Sequence, residues 1–337
     1  MDAEKDLNRR WAYLKKYCNN SLGFHTLQNG LQYFDDPCGY IAYKDFWPFR
    51  FALCDPVCDP ADIALMAQRF DNEHGNITFF HITAKMAEAL DRLGYYVNES
   101  GEEMVIDLAT YSFAGRRKED IRNLHNRARC AGVCVREIYG DMQAYEEARK
   151  ITGQWLQKKI TTNELWFITR QPVYDDFFSV RKFYGYLGDK MVAYVYFDPV
   201  WDGDEISGYC PAILRCLPDA PKGALPWIIH EAMETFKAEK ISKLFLGLMP
   251  LYNIEDDTHN AYRYSPETMK LMRWIYASRF SNWFYGFKNL AFHKLRYRAE
   301  RQKIYMATRS RVPVAQLSFS AFMVGFFGGR LFFGPDR

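Results

Sequence analysis

The chain has 337 residues, enough for one large domain or two of ordinary size. Hydrophobic residues make up 48% and charged residues 25%, which places it among globular proteins and excludes a disordered chain. A net charge of +3 excludes uniform basic coating for nucleic acid, while 17% aromatics (26 Phe, 23 Tyr, 8 Trp) point to an apolar cleft or membrane contact beyond core needs.

The opening MDAEKDLNRRWAYLKKY is charged throughout and lacks an apolar stretch, so it does not read as a secretory signal. LQYFD and GYIAY predict a hairpin, FRFAL a strand, and CDPVCDPAD a Pro/Asp loop. A helix around ADIALMAQRF, a strand NITFFHI, a helix around AKMAEALDRL ending at Gly94, and a strand VIDL follow. Residues 113–136 hold seven basic and two acidic side chains. At about 100° per residue, Lys118, Arg122, His125 and Arg129 fall on one stripe of a helix, opposite Ile121, Leu124, Ala128 and Ala131. That basic face is a candidate phosphate-binding surface.

The second half repeats the order of the first. KFYGYL and KMVAYVYF flank the turn at Gly188-Asp189, ISGYCPAIL is a strand, and LPDAPKGA is a second Pro/Asp loop. A helix LPWIIHEAMETFKAEK carries Leu225, Ile228, Ile229, Ala232, Met233 and Phe236 on its apolar face and leads to strand KLFLGL. Residues 276–311 hold nine basic and one acidic side chain, leaving a net −10 outside the two basic segments. Residues 312–329 carry no charge, but the length is marginal for a span and Gln316, Ser318 and Ser320 interrupt it. Segment 312–333 is therefore either a Phe-rich interfacial anchor or a tail folded on the body.

Hairpin, strand, loop, helix, strand, twice over, predicts an α+β (mixed α/β) fold with mixed sheets, similar to two acetyltransferase-like (GNAT) subdomains in tandem. The expected division is 1–112, a basic connector 113–136, a second subdomain 137–308, and an apolar tail 309–337. The eight cysteines are too sparse for a disulfide scaffold, and the CxxxC pairs Cys54/Cys58 and Cys130/Cys134 lack the spacing of structural zinc, so reduced thiols and no metal are expected. Acidic runs DPVWDGDE and NIEDDTH read as turns and solvated charge. Asp55 and Asp219, in equivalent loops of the two halves, read as turn-forming and helix-capping.

Five segments, in order, carry a resemblance: LCDPVCDP, GRRKEDIRNLHNRARCAGV, LRCLPDAPKGALPWIIHEAM, LFLGLMPL and FYGFKNLAFHKLRYRAERQKIYMA. Over about residues 30 to 308 the chain resembles the C-terminal catalytic domain of phosphatidylglycerol lysyltransferases, the aminoacyl-phosphatidylglycerol synthases also called multiple peptide resistance factors. The resemblance implies transfer of an aminoacyl group from aminoacyl-tRNA, as co-substrate and without a further cofactor, to the hydroxyl of an anionic membrane lipid such as phosphatidylglycerol. It implies a cytoplasmic enzyme, peripheral on the inner face of the membrane. The multi-span flippase of the family's longer members is absent from these residues. Two departures stand out. The family's acidic residue three before Arg215 is Ala212 here, and the closing segment keeps Lys294, has Arg296 for its second lysine, loses its Pro, Trp and Glu, and keeps Tyr305.

An aminoacyl ester is already activated, so the enzyme needs to orient an acceptor, take its proton and stabilise an oxyanion. Arg215 and Lys294 are the expected catalytic cations. Asp219, Arg296, Tyr305, Lys118, Arg122, His125 and Arg129 are the expected substrate-binding residues. No G-x-S-x-G nucleophile is present, and the Arg/Gln-x-x-Gly-x-Gly/Ala signature for acetyl-CoA is missing from loop 215–223. Acyl-CoA-dependent N-acylation, aminoacyl transfer to a soluble amine or peptide, and non-catalytic binding to anionic membranes or RNA are the competing readings.

Overall fold

The computed structural model describes residues 2–18, 20–159, 164–174, 179–254 and 261–326. After helix α1 (Asp2–Tyr17), a hairpin of β1 (Gln32–Asp36) and β2 (Gly39–Phe46) continues antiparallel into β3 (Phe49–Cys58). Helix α2 (Ile63–Glu73) crosses over to β4 (Ile77–Ile82), which lies parallel to β3. Helix α3 (Ala84–Arg92) and the long β5 (Tyr96–Asp107) complete this half. The expected connector holds α4 (Glu119–Cys130) and β6 (Val133–Glu137), and α5 (Met142–Gln157) follows. The same order then returns as antiparallel β7 (Arg181–Leu187), β8 (Lys190–Asp202) and β9 (Glu205–Cys216), helix α6 (Ala224–Ala238), and β10 (Lys243–Pro250) parallel to β9. Three helices, α7 (Pro266–Ala277), α8 (Arg279–Phe284) and α9 (Phe287–Leu295), lead to β11 (Glu300–Thr308) and α10 (Val314–Val324).

The expected duplication is present, and both copies share one eleven-stranded mixed sheet in the order β1-β2-β3-β4-β11-β5-β10-β9-β8-β7-β6. The tandem acetyltransferase-like halves are joined through β5, whose two edges take β11 and β10. β11, though late in sequence, inserts between β4 and β5 of the first half. The apolar stripe of α6 behaves as its periodicity predicts: Ile228, Ile229, Ala232, Met233 and Phe236 are buried against Phe183, Phe197 and Tyr209.

In each half the parallel pair is short. β3 and β4 pair only from Arg50/Ile77 to Leu53/Phe80, and β9 and β10 only at Gly208/Lys243 and Tyr209/Leu244. The first splay begins where Cys54 (φ 65°) and His81 (φ 57°), the next residue on each strand, both turn left-handed. On β10 the residue in the position of His81, the fifth of its strand, is Gly247 (φ 76°). Left-handed backbone breaks the ladder and lets the strands part, and the site lies in the openings.

Segment 312–326 folds back on the body. Met323 and Val324 are buried with Phe51, Leu53 and Phe167, and Phe319 packs edge-on against Phe46 and Phe49. No helix among the described residues is long and apolar enough to cross a membrane. Residues 327–333 of the expected anchor lie outside the described residues.

Candidate functional site

Lys294, in the last turn of α9, reaches into the splay between β9 and β10. Its Nζ donates to the Leu248 carbonyl oxygen at 2.9 Å and lies over Gly247, where a Cβ would stand 3.2 Å away. The missing side chain at Gly247 is thus the space that the ammonium enters. Burial brings the Lys294 ammonium down to about 8, against the opposing pull of Cys210 and Glu103. Glu103, on β5 opposite Leu248, is buried with no hydrogen-bond partner for its Oε1 among the described residues. Burial raises its carboxyl to about 7, with Ser21 and Lys294 pulling the other way. Two groups of opposite charge therefore share one buried place and titrate near neutrality, an arrangement suited to acid–base work. The Cys210 thiol is pushed far up by burial, stays protonated, and is no nucleophile at neutral pH.

The buried polar residues continue away from Lys294. His81, on β4, is 2% exposed, and neither ring nitrogen has a partner among the described residues. Burial, with help from His25 and Lys294, holds its imidazole down to about 3, so it is neutral. His25 Nε2 stands 3.3 Å from Asp198 Oδ2. Asp198 is fully buried and receives the Arg170 guanidinium on both oxygens; burial would raise its carboxyl, but Arg170 outweighs it and keeps it below the ordinary range.

An apolar cavity of about 530 Å³ adjoins this cluster, with His81 and Leu248 in its wall. The rest of the described lining is apolar apart from four serines, the Tyr285 hydroxyl and the Trp274 indole, with no Lys, Arg, Asp or Glu among the described residues. Helices α7, α8 and α10 supply most of the wall, so the second basic segment, the residues just before it and the apolar tail build the pocket. Trp274, Phe280 and Phe322 line it and are also 65%, 69% and 46% exposed, which marks the mouth.

The other expected residues are dispersed. Arg215, on β9, is buried in a structural setting: it pairs with Glu164 at 2.6 Å, donates to the Leu214 carbonyl at 2.9 Å, and stacks over Trp155 at 3.8 Å. Asp219 is exposed and paired with exposed Lys190. Arg296 lies over Phe292, and Tyr305 faces Tyr262 on the α3 side of the sheet. Lys118 donates to the Ser112 carbonyl and covers Tyr111, while Arg122 donates to the Phe113 and Gly115 carbonyls, so both hold the loop that leads into α4. Arg129 is exposed.

His125 departs from the expected basic stripe. It is buried against Phe113 and His230, and burial, with His230 adding to it, takes its imidazole down to about 3, so it adds no positive charge to the α4 surface. On the helical wheel it lies about 40° from Ile121 and about 60° from Arg122, and the aromatic surface of α6 and the preceding loop decides the border case. Asp55 departs from the expected loop: β3 continues through Cys58, so Asp55 lies on a strand, and it accepts from the backbone and hydroxyl of Thr83, the N-cap residue of the more distant α3. All eight cysteines are unpaired, and no metal-ligating cluster occurs among the described residues; residues 255–259 of the acidic run lie outside them. Glu103, His81, His25 and Asp198 were not singled out from sequence. The one signal was a histidine next to the end of a mainly apolar strand, NITFFHI.

The N-cap of α6, Gly223, packs tightly against the backbone of α4. A Cβ on Gly223 would stand 2.1 Å from the Leu124 carbonyl oxygen of α4.

Residues 11–308 match the family model of the phosphatidylglycerol lysyltransferase C-terminal domain. Among curated proteins, the chain is 21% identical over 94% of its length to an uncharacterised protein of Corynebacterium glutamicum, covering 41% of it. It is 24% identical over 81% of its length to phosphatidylglycerol lysyltransferase of Bacillus subtilis, covering 31% of that protein. The chain therefore spans less than half the length of these relatives. Among solved structures it resembles L-PGS from Bacillus licheniformis, with a TM-score of 0.76, 18% identity and 96% of each chain covered.

Proposed function

This chain belongs to the phosphatidylglycerol lysyltransferase C-terminal family, and we propose that it moves an aminoacyl group from aminoacyl-tRNA to a hydroxyl of an anionic membrane lipid. The observation that carries this reading is the junction of the apolar cavity with the Lys294–Glu103 pair: Leu248 lines the one and binds the other through its carbonyl. An uncharged, apolar cavity suits acyl chains and leaves the ester chemistry to the polar cluster beside it.

In this reading Glu103, as carboxylate, takes the proton of the acceptor hydroxyl as its oxygen bonds to the aminoacyl carbonyl carbon. The Lys294 ammonium offsets the charge on the tetrahedral oxygen. The bond from that carbon to the tRNA ribose oxygen then breaks, and the ribose oxygen receives the proton held by Glu103. No covalent enzyme intermediate is required. Exposed Trp274, Phe280, Trp283 and Phe292 on α7–α9, interleaved with Lys270, Arg279 and Lys288, support peripheral contact with an anionic surface at the cavity mouth. The absence of the acetyl-CoA signature from loop 215–223 argues against an acyl-CoA donor.

The test is transfer of label from total charged tRNA into the organic phase with phosphatidylglycerol vesicles, comparing wild type with Lys294→Ala. Labelled lipid that is lost in the variant is the expected result. Aqueous label with discharged tRNA would move the acceptor to a soluble amine or peptide, and no discharge would overturn the donor.

A further inference from the structure

His81 is a buried polar side chain that the Lys294–Glu103 pair does not use. An imidazole left unsatisfied in a protein interior is destabilising, so its two unpartnered nitrogens call for a ligand or a water. Its surroundings identify which side such a ligand comes from, because His81 lines the apolar cavity. The backbone adds an independent observation. His81 is left-handed at the strand position that its counterpart half fills with Gly247, and a β-carbon there is strained where glycine is not. The histidine is thus held in a costly conformation at the point where cavity and polar cluster meet.

We infer that His81 is the residue that fixes the acceptor hydroxyl at the inner end of the cavity, and that it selects a long-chain ligand presenting a hydroxyl there rather than an amine or a carboxylate. The inference rests on the lipid reading and names the group within the cavity that recognises the lipid. Neutral imidazole offers one donor and one acceptor. A hydroxyl matches both. An ammonium brings three donors and a charge toward a region already held by Lys294, and a carboxylate brings acceptors only. Ser100, the other polar residue of the strands at this end, lines the cavity but already donates to the Ile304 carbonyl. Bound in this way, the hydroxyl stands beside the cluster that contains Glu103 and Lys294, with its chain in the cavity.

The test uses 1-decanol and 1-fluorodecane, equal in length and differing in the hydroxyl. Binding to the full chain is followed by tryptophan fluorescence, since Trp274 lines the cavity. The ratio of the two affinities is expected to shift against decanol by about 10-fold or more in His81→Phe, equivalent to about 1.4 kcal/mol. His81→Asn, which keeps a donor and an acceptor and tolerates left-handed backbone, is expected to recover part of it. His81→Leu is a second deletion variant should Phe not fit. In the transfer assay His81→Phe is expected to slow lipid labelling, and His81→Asn to recover part of it, in the same order as the affinity ratios. An affinity ratio equal in wild type and both deletion variants would overturn the inference. Selectivity for decanol without any lipid labelling by wild type would support His81 and overturn the transfer reading; labelling without selectivity would do the reverse.

Discussion

Lys294 Nζ donates to the Leu248 carbonyl oxygen across the bare Cα of Gly247, 2.9 Å from its acceptor. The contact places an ammonium in the break between two parallel strands, and it exists only because residue 247 has no side chain. Gly247→Ala puts a methyl group 3.2 Å from that nitrogen and forces a left-handed β-carbon. The expected outcome is a folded protein, destabilised by about 1–2 kcal/mol, whose aminoacyl transfer falls at least 10-fold. Combining it with Lys294→Ala is expected to add little further loss, because both remove the same contact. Thermal melts beside the label assay separate the stability effect from the loss of transfer.

The opposed shifts of Glu103 and Lys294 predict a narrow pH optimum. Transfer needs the carboxylate, which forms above about 7, and the ammonium, which is lost above about 8. A bell-shaped profile peaking between these values is expected, with apparent limbs that belong to the pair. Stability follows a different sign. An unfolded glutamate titrates near 4.5, so between 4.5 and about 7 the native state holds the extra proton, and stability falls as pH rises through that window. An unfolded lysine titrates near 10.5, so between about 8 and 10.5 the unfolded state holds the extra proton, and stability rises with pH. Urea denaturation of wild type and Glu103→Gln from pH 4.5 to 7 checks the first window. Wild type is expected to lose stability relative to the variant, at no more than about 1.4 kcal/mol per pH unit. Parallel curves would remove Glu103 as the titrating group.

Lys294 was legible in sequence because it is the first lysine of the family's closing segment, one of the few positions there that this chain keeps. Glu103 was not. It is the second of two adjacent glutamates in GEEMVID, which reads as solvated charge on a strand end, and its burial depends on β10 and β11, about 145 and 200 residues further on. The doubled order of elements was also legible, since hairpin turns and the α6 stripe are local signals. The insertion of β11 between β4 and β5 was not, because an alternating strand does not state which edge it will join. His125 shows the same boundary on a smaller scale: periodicity placed it between two stripes, and packing chose the apolar one.

Arg215 presents a different balance. Its side chain and that of Glu164 are 11% and 14% exposed, and the pair is covered by Trp155. Removing either partner leaves a largely buried charge, which costs about 3–5 kcal/mol. Arg215→Ala and Glu164→Ala are each expected to destabilise the chain by that order, and the double variant by less than their sum. Arg215→Lys is expected to recover little, since a lysine cannot reproduce the stacked, planar guanidinium. Denaturation curves check the energies. Transfer measured well below each variant's melting point then shows whether Arg215 also touches substrate: loss in Arg215→Ala but not in Glu164→Ala would identify a catalytic part beyond the ion pair.

The aromatic face around the cavity mouth can be tested apart from the cavity. Trp283 is 65% exposed and is not part of the cavity lining, so its indole contributes little to packing or to a ligand inside. If α7–α9 meet the membrane, burying that exposed ring at the interface contributes about 1–2 kcal/mol. Trp283→Ser is then expected to weaken sedimentation with phosphatidylglycerol vesicles by roughly 5- to 30-fold, to leave the melting temperature within about 1 °C of wild type, and to leave decanol binding unchanged. Tyr139→Ser is the control: it is also exposed, but it follows β6, the strand at the opposite edge of the sheet from β1. Equal loss in both variants would mean that vesicle binding reads general hydrophobicity, and the α7–α9 face would no longer be the membrane-facing side.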